Sequence, residues 1–236
     1  MNIWNQLDQI GKCGKPCPSG GFYCAPYVGP DYESSEPRVM FVGLDHGERR
    51  SFNAIERRNS VIDWWEKHPF KDHYQGCIWV AAELLRTCCR LYCQGGCVKV
   101  SDPNSDCALR RFSQTNAVRC VGNVQSNMTF RNQSMVRECV RLVFEDIRLL
   151  RPQVIVLQGR NRQTGHLQES FLAEARKQRG SCDNSLDFAG AAVTDLRLDH
   201  QQIIVASLRH PSHGWLKRDW DKVILPVLGE INRRLG

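Results

Sequence analysis

An aspartate, an asparagine and a histidine each stand in or just behind a short run of strand-forming residues. Asp45 follows Arg38-Val39-Met40-Phe41-Val42-Gly43, in the segment Gly43-Leu44-Asp45-His46-Gly47-Glu48. Asn116 falls within Thr115–Val121, and His210 follows Ile203–Ser207 in Arg209-His210-Pro211-Ser212-His213. A short apolar run closed by glycine is the pattern of a strand buried on both faces. In parallel sheets built from such strands, ligands bind outside the carboxyl ends. The spacing therefore brings a carboxylate, an amide and an imidazole to one rim, where the first and last can act as base or acid. Those residue types alone do not name the reaction.

Cysteine is the second chemical resource. The chain has 12, more than core filling explains in a reducing compartment, where clustered thiols point to metal or iron–sulfur ligation rather than disulfides. They fall into three groups: Cys13, Cys17 and Cys24; Cys77, Cys88, Cys89, Cys93, Cys97 and Cys107; and Cys120, Cys139 and Cys182. Cys93 and Cys97 flank Gln94-Gly95-Gly96 and suit half a metal site with Cys88, Cys89 or Cys107. The simpler reading of that middle group is free thiols on a helix and a loop.

The elements that must carry these residues can be read from periodicity. Residues 1–36 are rich in Gly, Pro and Cys and read as irregular, with one short helix over Ile3–Ile10. Helical patterns are expected at Val61–Lys67 and Ile78–Tyr92, and residues 93–111 lose the period and read as loop. Ser134–Leu150 spaces Val136, Val140, Val143, Phe144, Ile147 and Leu150 by three or four, an amphipathic helix stopped by Pro152. Val154–Leu157 is the third strand, ending at Gly159; Gln168–Gln178 is helical; Ile203–Ser207 is the fourth strand. Trp220–Leu235 is a final helix interrupted near Pro226. Apolar strands alternating with helices predict a single α/β domain over 1–236, its central four-stranded, mainly parallel sheet covered by helices on both faces.

Composition bounds the rest. The 236 residues, 42% hydrophobic and 24% charged, suit one globular domain. No apolar run is long enough to span a membrane, and Met1–Cys13 lacks the apolar core of a signal peptide, so the expectation is a cytoplasmic protein with no membrane partner. A net charge of +7 favours a polyanionic partner without establishing one.

Four segments together resemble the uracil-DNA glycosylase superfamily. PRVMFVGLDHGE is similar to its first motif, TNAVRC to the TNxVKC segment of its iron–sulfur branch, RPQVIVLQGR to that branch's RPKVIVxLG strand, and HPSH to the second catalytic motif. They occur in the family's order and cover roughly residues 13–50 and 113–215; the segment 49–113 diverges. The resemblance implies a monomeric enzyme that flips a pyrimidine out of single- or double-stranded DNA and hydrolyses its N-glycosidic bond, in repair or in defence against phage. It implies Asp45 and His210 as the catalytic pair, although the iron–sulfur branch often has Ala at the position of Asp45. A loop carboxylate capping a turn, and a turn histidine before Pro211, are the plain alternatives for the two.

Further roles follow from the same resemblance. Asn116 matches the amide that reads the flipped base, and Phe52 a ring that stacks on it, with core packing as its alternative. Gly47 stands where strict uracil enzymes place a Tyr against C5 of the base, which opens the site to 5-substituted pyrimidines. Arg209 before the second motif and Ser212 and His213 within it are expected as DNA contacts, with Arg49, Arg50, Lys217 and Arg218 as further phosphate contacts and ordinary surface charge as the alternative. Trp215 or Leu216 would fill the gap left by the flipped nucleotide; for Trp215 a core or lid role is the alternative. Cys13, Cys17, Cys120 and Cys139 match the thiolates of a 4Fe–4S cluster that would clip the N-terminal segment onto the domain. The first pair is spaced Cys-x3-Cys rather than Cys-x2-Cys, which leaves Cys24 as an outside candidate. Structural zinc at the same thiols is the alternative metal, and a non-catalytic, nucleic-acid-binding iron–sulfur or zinc protein the alternative function.

Overall fold

A computed structural model of the chain describes residues 3–10, 22–43, 51–68, 72–86, 100–121, 133–159, 166–209 and 219–236. Among them are six α-helices, α1 (Ile3–Ile10), α2 (Ala54–Lys67), α3 (Asp72–Leu85), α4 (Gln133–Leu150), α5 (His166–Lys177) and α6 (Leu225–Leu235). Nine strands accompany them: β1 (Phe22–Tyr23), β2 (Tyr27–Val28), β3 (Val39–Gly43), β4 (Phe112–Asn116), β5 (Cys120–Val121), β6 (Val154–Gln158), β7 (Ser181–Phe188), β8 (Ala191–Leu198) and β9 (Gln201–Leu208).

Seven strands form one mixed sheet in the order β2-β4-β3-β6-β9-β8-β7, which corrects the expected four-stranded sheet. Its centre, β4-β3-β6-β9, is parallel and contains the four strands read from the sequence. β2 adds antiparallel at one edge, and the β8–β7 hairpin adds antiparallel at the other. The hairpin was missed for a physical reason. β7 is exposed along nearly its whole length and reads SCDNSLDF, without the apolar face that marks a strand in sequence.

Side-chain alternation divides the core into two layers. Val39, Phe41, Val154, Val156, Ile204 and Ala206 face the layer containing Ile78 and Ala81 of α3 and Val227 and Ile231 of α6. Met40, Val42, Ile155, Leu157, Ile203 and Val205 face Leu7 of α1, Val140 and Phe144 of α4, and Phe171 of α5. Helices thus cover both faces, as expected. No described helix is long and apolar enough to cross a membrane.

Several boundaries moved. α2 begins at Ala54 rather than Val61, because Asn53 and Glu56 form a capping box: the Asn53 side chain accepts from the Glu56 amide at 2.8 Å and Glu56 accepts from the Asn53 amide at 3.0 Å. Asp8 accepts from the Ala54 amide at 2.7 Å, tying α1 to the same helix end. The second strand is β4, three residues earlier than expected, and Cys120–Val121 pairs separately with β1. α3 starts at Asp72 and ends at Leu85; residues 87–92 lie outside the described residues. The final helix opens with a π-turn at Trp220–Ile224 before α6, close to the expected interruption at Pro226.

Candidate active site

The carboxyl ends of the central strands form one register row. Gly43 pairs with Asn116, Val42 with Leu157, and Gln158 with Leu208, so Asn116, Gly43, Gln158 and Leu208 lie side by side. All four belong to the α3-facing set of their strands. Gly43 leads directly into residues 44–50, and Leu208-Arg209 into residues 210–218. Asp45, Gly47, His210, Ser212, His213, Trp215 and Leu216 lie outside the described residues. What the structure places is where their segments leave and rejoin the fold. β3 and β9 are separated by one strand, so the two departure points are about 10 Å apart. That spacing suits groups meant to act on one ligand from two sides.

Asn116 closes β4 and is half-buried. The Ala117 amide donates to the Gly43 carbonyl at 2.8 Å, locking the two strand ends together. Beside them the Gly159 amide donates to the Leu208 carbonyl at 3.0 Å, with Gly159 at φ 145°, a conformation that favours glycine.

Arg209 and Asp219 bracket the 210–218 segment and are joined to each other, Nη1 to Oδ2 at 3.3 Å. The guanidinium lies over Gly190 in the β7–β8 turn, where an added Cβ would stand 3.0 Å from Nη2. Asp219 also accepts from the Val223 and Ile224 amides through its carbonyl, anchoring the π-turn. Arg209 therefore helps fasten the base of the segment that contains His210.

Phe52 is buried beside the N-terminal segment. It bridges to Cys24, its carbonyl accepts from the Ala25 amide at 3.0 Å, and the Arg57 guanidinium sits 5.8 Å from the ring centre. These contacts place Phe52 next to the strand extension beyond β4, since the Cys24 amide donates to the Arg119 carbonyl at 3.2 Å.

Of the cysteines matched to a cluster, Cys120 opens β5 and Cys139 lies on α4; Cys13 and Cys17 lie outside the described residues. The two ends of the segment that contains this pair are fixed near the other two. α1 ends at Ile10 and packs through Leu7 into the α4 layer, while β1 starts at Phe22 and pairs Tyr23 with Cys120. Among the described residues no group of three potential metal ligands converges.

Two buried polar arrangements were not found from sequence. Gln158, 2% exposed, donates through Nε2 to the Cys77 sulfur at 3.0 Å, and its Oε1 has no hydrogen-bond partner among the described residues. Burial pushes the Cys77 thiol up to about 12, with the Gln158 amide working against the shift, so this thiol stays protonated. The signal available was a lone glutamine ending the apolar run VIVLQ. Behind β4, Arg119 and Asp146 form an ion pair, 1% and 0% exposed, with Thr115 Oγ1 donating to Asp146 at 2.9 Å and Arg119 Nη2 donating to the Leu142 carbonyl at 3.3 Å. The pair fixes the β4 end that carries Asn116 onto α4.

Compared with known families, residues 30–225 match the model of the Uracil DNA glycosylase superfamily. A search of curated proteins finds no match.

Proposed function

The chain belongs to the uracil-DNA glycosylase superfamily, whose members generally hydrolyse N-glycosidic bonds in DNA, and on that premise we propose that it excises a pyrimidine from DNA and leaves an abasic site. The observation that carries this reading is the rim: Asn116 ends the strand beside β3, and the Asp45 and His210 segments leave β3 and β9 about 10 Å apart. A flipped nucleotide set between them would meet a carboxylate on one side and an imidazole on the other.

The chemistry follows from the charge that develops. As the C1′–N bond breaks, its electron pair leaves with the base and the sugar becomes cationic. Asp45 stabilises that cation and holds a water whose oxygen bonds to C1′ and whose proton passes to the carboxylate. His210 donates a hydrogen bond to the base O2, where the leaving charge collects. Asn116 reads the base edge with an amide that can donate or accept. Phe52 supplies a ring against the base, and Trp215 or Leu216 occupies the vacated stack. Gly47 leaves the C5 side open, so the substrate class is uracil together with pyrimidines substituted at C5, the modified cytosines of phage DNA included. Which base is released decides whether the task is repair or defence.

Cys13, Cys17, Cys120 and Cys139 would hold a 4Fe–4S cluster that fastens residues 11–21 to α4 and β5; four thiolates suit it, and they equally suit zinc. The anchoring of both ends of that segment beside α4 and β5 supports the assignment. Cys120, in β5 just beyond Asn116, would tie that strand end to the same group.

Asp45→Asn and His210→Ala test the pair. Each is expected to slow abasic-site formation about 100- to 10,000-fold while DNA binding persists. Wild-type rates in both variants would remove the pair from the mechanism, and DNA binding by a wild-type protein that never releases a base would favour a binding module instead.

A further inference from the structure

At the amino ends of the parallel strands, opposite the rim, lies an open cleft of about 550 Å³. Buried Ile147 and Leu198 form its floor, and Arg38, Arg148, Arg151 and His200 project around it. Its polar framework is fixed. Gln153 accepts from the Arg38 amide at 2.9 Å and donates to Glu36 at 2.7 Å; Gln201 donates to the Pro152 carbonyl at 2.5 Å. Arg148 is held by Asp199 at 2.6 Å and by Gln178 at 2.8 Å. Among the described residues, the side chains of Arg38, Arg151 and His200 have no hydrogen-bond or ion-pair partner. Three arginines thus face the single lining carboxylate, Asp199, with Glu36 at the margin.

The backbone at this cleft is unusual as well. Arg151, Asp199 and His200 have φ of 48°, 48° and 66°, half of the six described non-glycine residues with positive φ. Arg151 stands where a helix ordinarily ends in Gly or Asn, and Asp199-His200 make a hairpin turn that ordinarily ends in Gly. Backbone strain of this kind clusters at functional sites. The helix dipole of α4 explains why cations gather at its carboxyl end, but not why two of them are left uncommitted over a cavity.

We infer that this cleft is a second, phosphate-binding site, taking phosphate either from a nucleic-acid backbone or as a free anion of the pyrophosphate class. Strands of five to eight residues separate it from the rim by about 17–26 Å. A backbone phosphate held here therefore belongs to a DNA segment other than the one at the rim. The inference goes beyond the glycosylase reading and stands whether or not a base is released.

The test compares wild type with Arg38→Gln/Arg151→Gln, using a long undamaged duplex and inorganic pyrophosphate as separate probes. If backbone is the source, the logarithmic salt dependence of duplex binding should fall by about two units in the variant. If a free anion is the source, wild type should bind pyrophosphate, and show a raised unfolding midpoint with it, while the variant does neither. Arg38→Lys/Arg151→Lys should retain most of the binding, and excision from a short oligonucleotide should be unchanged in both variants. The site is overturned if the glutamine variant, whatever its stability, binds pyrophosphate as wild type does and shows the same duplex salt slope, which would leave the arginines as partners of the helix dipole. Should the glutamine pair fail to fold, Arg38→Gln alone should lower the salt slope by about one unit or weaken pyrophosphate binding, and no change in either overturns the site.

Discussion

At the scale of single residues, the Arg119–Asp146 pair is an ion pair with both side chains buried, 1% and 0% exposed. Both side chains are withdrawn from water, so removing one partner strands a charge. Asp146→Ala should cost about 3–5 kcal/mol in denaturant unfolding, and Arg119→Leu/Asp146→Leu should recover much of it, since replacing both charges avoids the orphan. A loss below about 1 kcal/mol would mean the pair is solvated in solution. The sequence shows only part of this. TNAVRC is legible through Asn116 and Cys120, but nothing in the spacing of Arg119 and Asp146, 27 residues apart, announces that the segment after β4 and helix α4 bring them together. Gln158 was equally hidden, because a polar residue ending a strand reads as the start of a loop. Asp45, Gly47, His210 and the wedge candidates rest on their motifs alone, and the fold adds only the separation of the strands that lead to their segments.

Among the elements, the strands easiest to read were those buried on both faces. VMFV and VIVL carry near-continuous apolar runs, whereas β4 (FSQTN) turns Ser113 and Thr115 toward α4 and lost its pattern. The two-residue strands β1 and β2 are too short to have a period, and α2 was under-read because its start is set by the Asn53–Glu56 cap rather than by apolar spacing. The β7–β8 hairpin supplies the Gly190 turn on which Arg209 lies before reaching Asp219. Gly190→Ala would force a φ of +88° on a side chain and push a methyl to 3.0 Å from the guanidinium. This variant and, separately, Asp219→Asn, which removes the charge of the clasp, should each lower turnover by about tenfold through displacement of the 210–218 segment. The fold away from the hairpin should be unaffected in far-ultraviolet circular dichroism. Unchanged turnover in both variants would show that the clasp does not position His210.

For the molecule as a whole, α6 is riveted to the sheet by a charge network. Arg234 donates to Glu230 at 2.6 Å and to Asp195 of β8 at 2.9 Å, and Arg233 donates to Glu230 at 2.7 Å. The hydrogen bonds from Arg233 and then Arg234 lower the Glu230 carboxyl from 4.5 to about 2. A depressed carboxyl contributes stability that is complete above the unfolded value and lost as pH falls through the folded one. Unfolding free energy should therefore decline between about pH 4.5 and 2, and Glu230→Gln should flatten that decline; an identical slope in the variant would assign the acid sensitivity elsewhere. Membership of the glycosylase superfamily over residues 30–225 unites this frame with its rim. The most direct measurement is mass spectrometry of free bases released from DNAs containing uracil, thymine mismatches and 5-substituted cytosines, with Asp45→Asn alongside. An Asp45–His210 rim predicts one or more pyrimidines in solution, matched by abasic sites and lost in Asp45→Asn. A folded, DNA-binding protein that releases no base from any of these DNAs would contradict it.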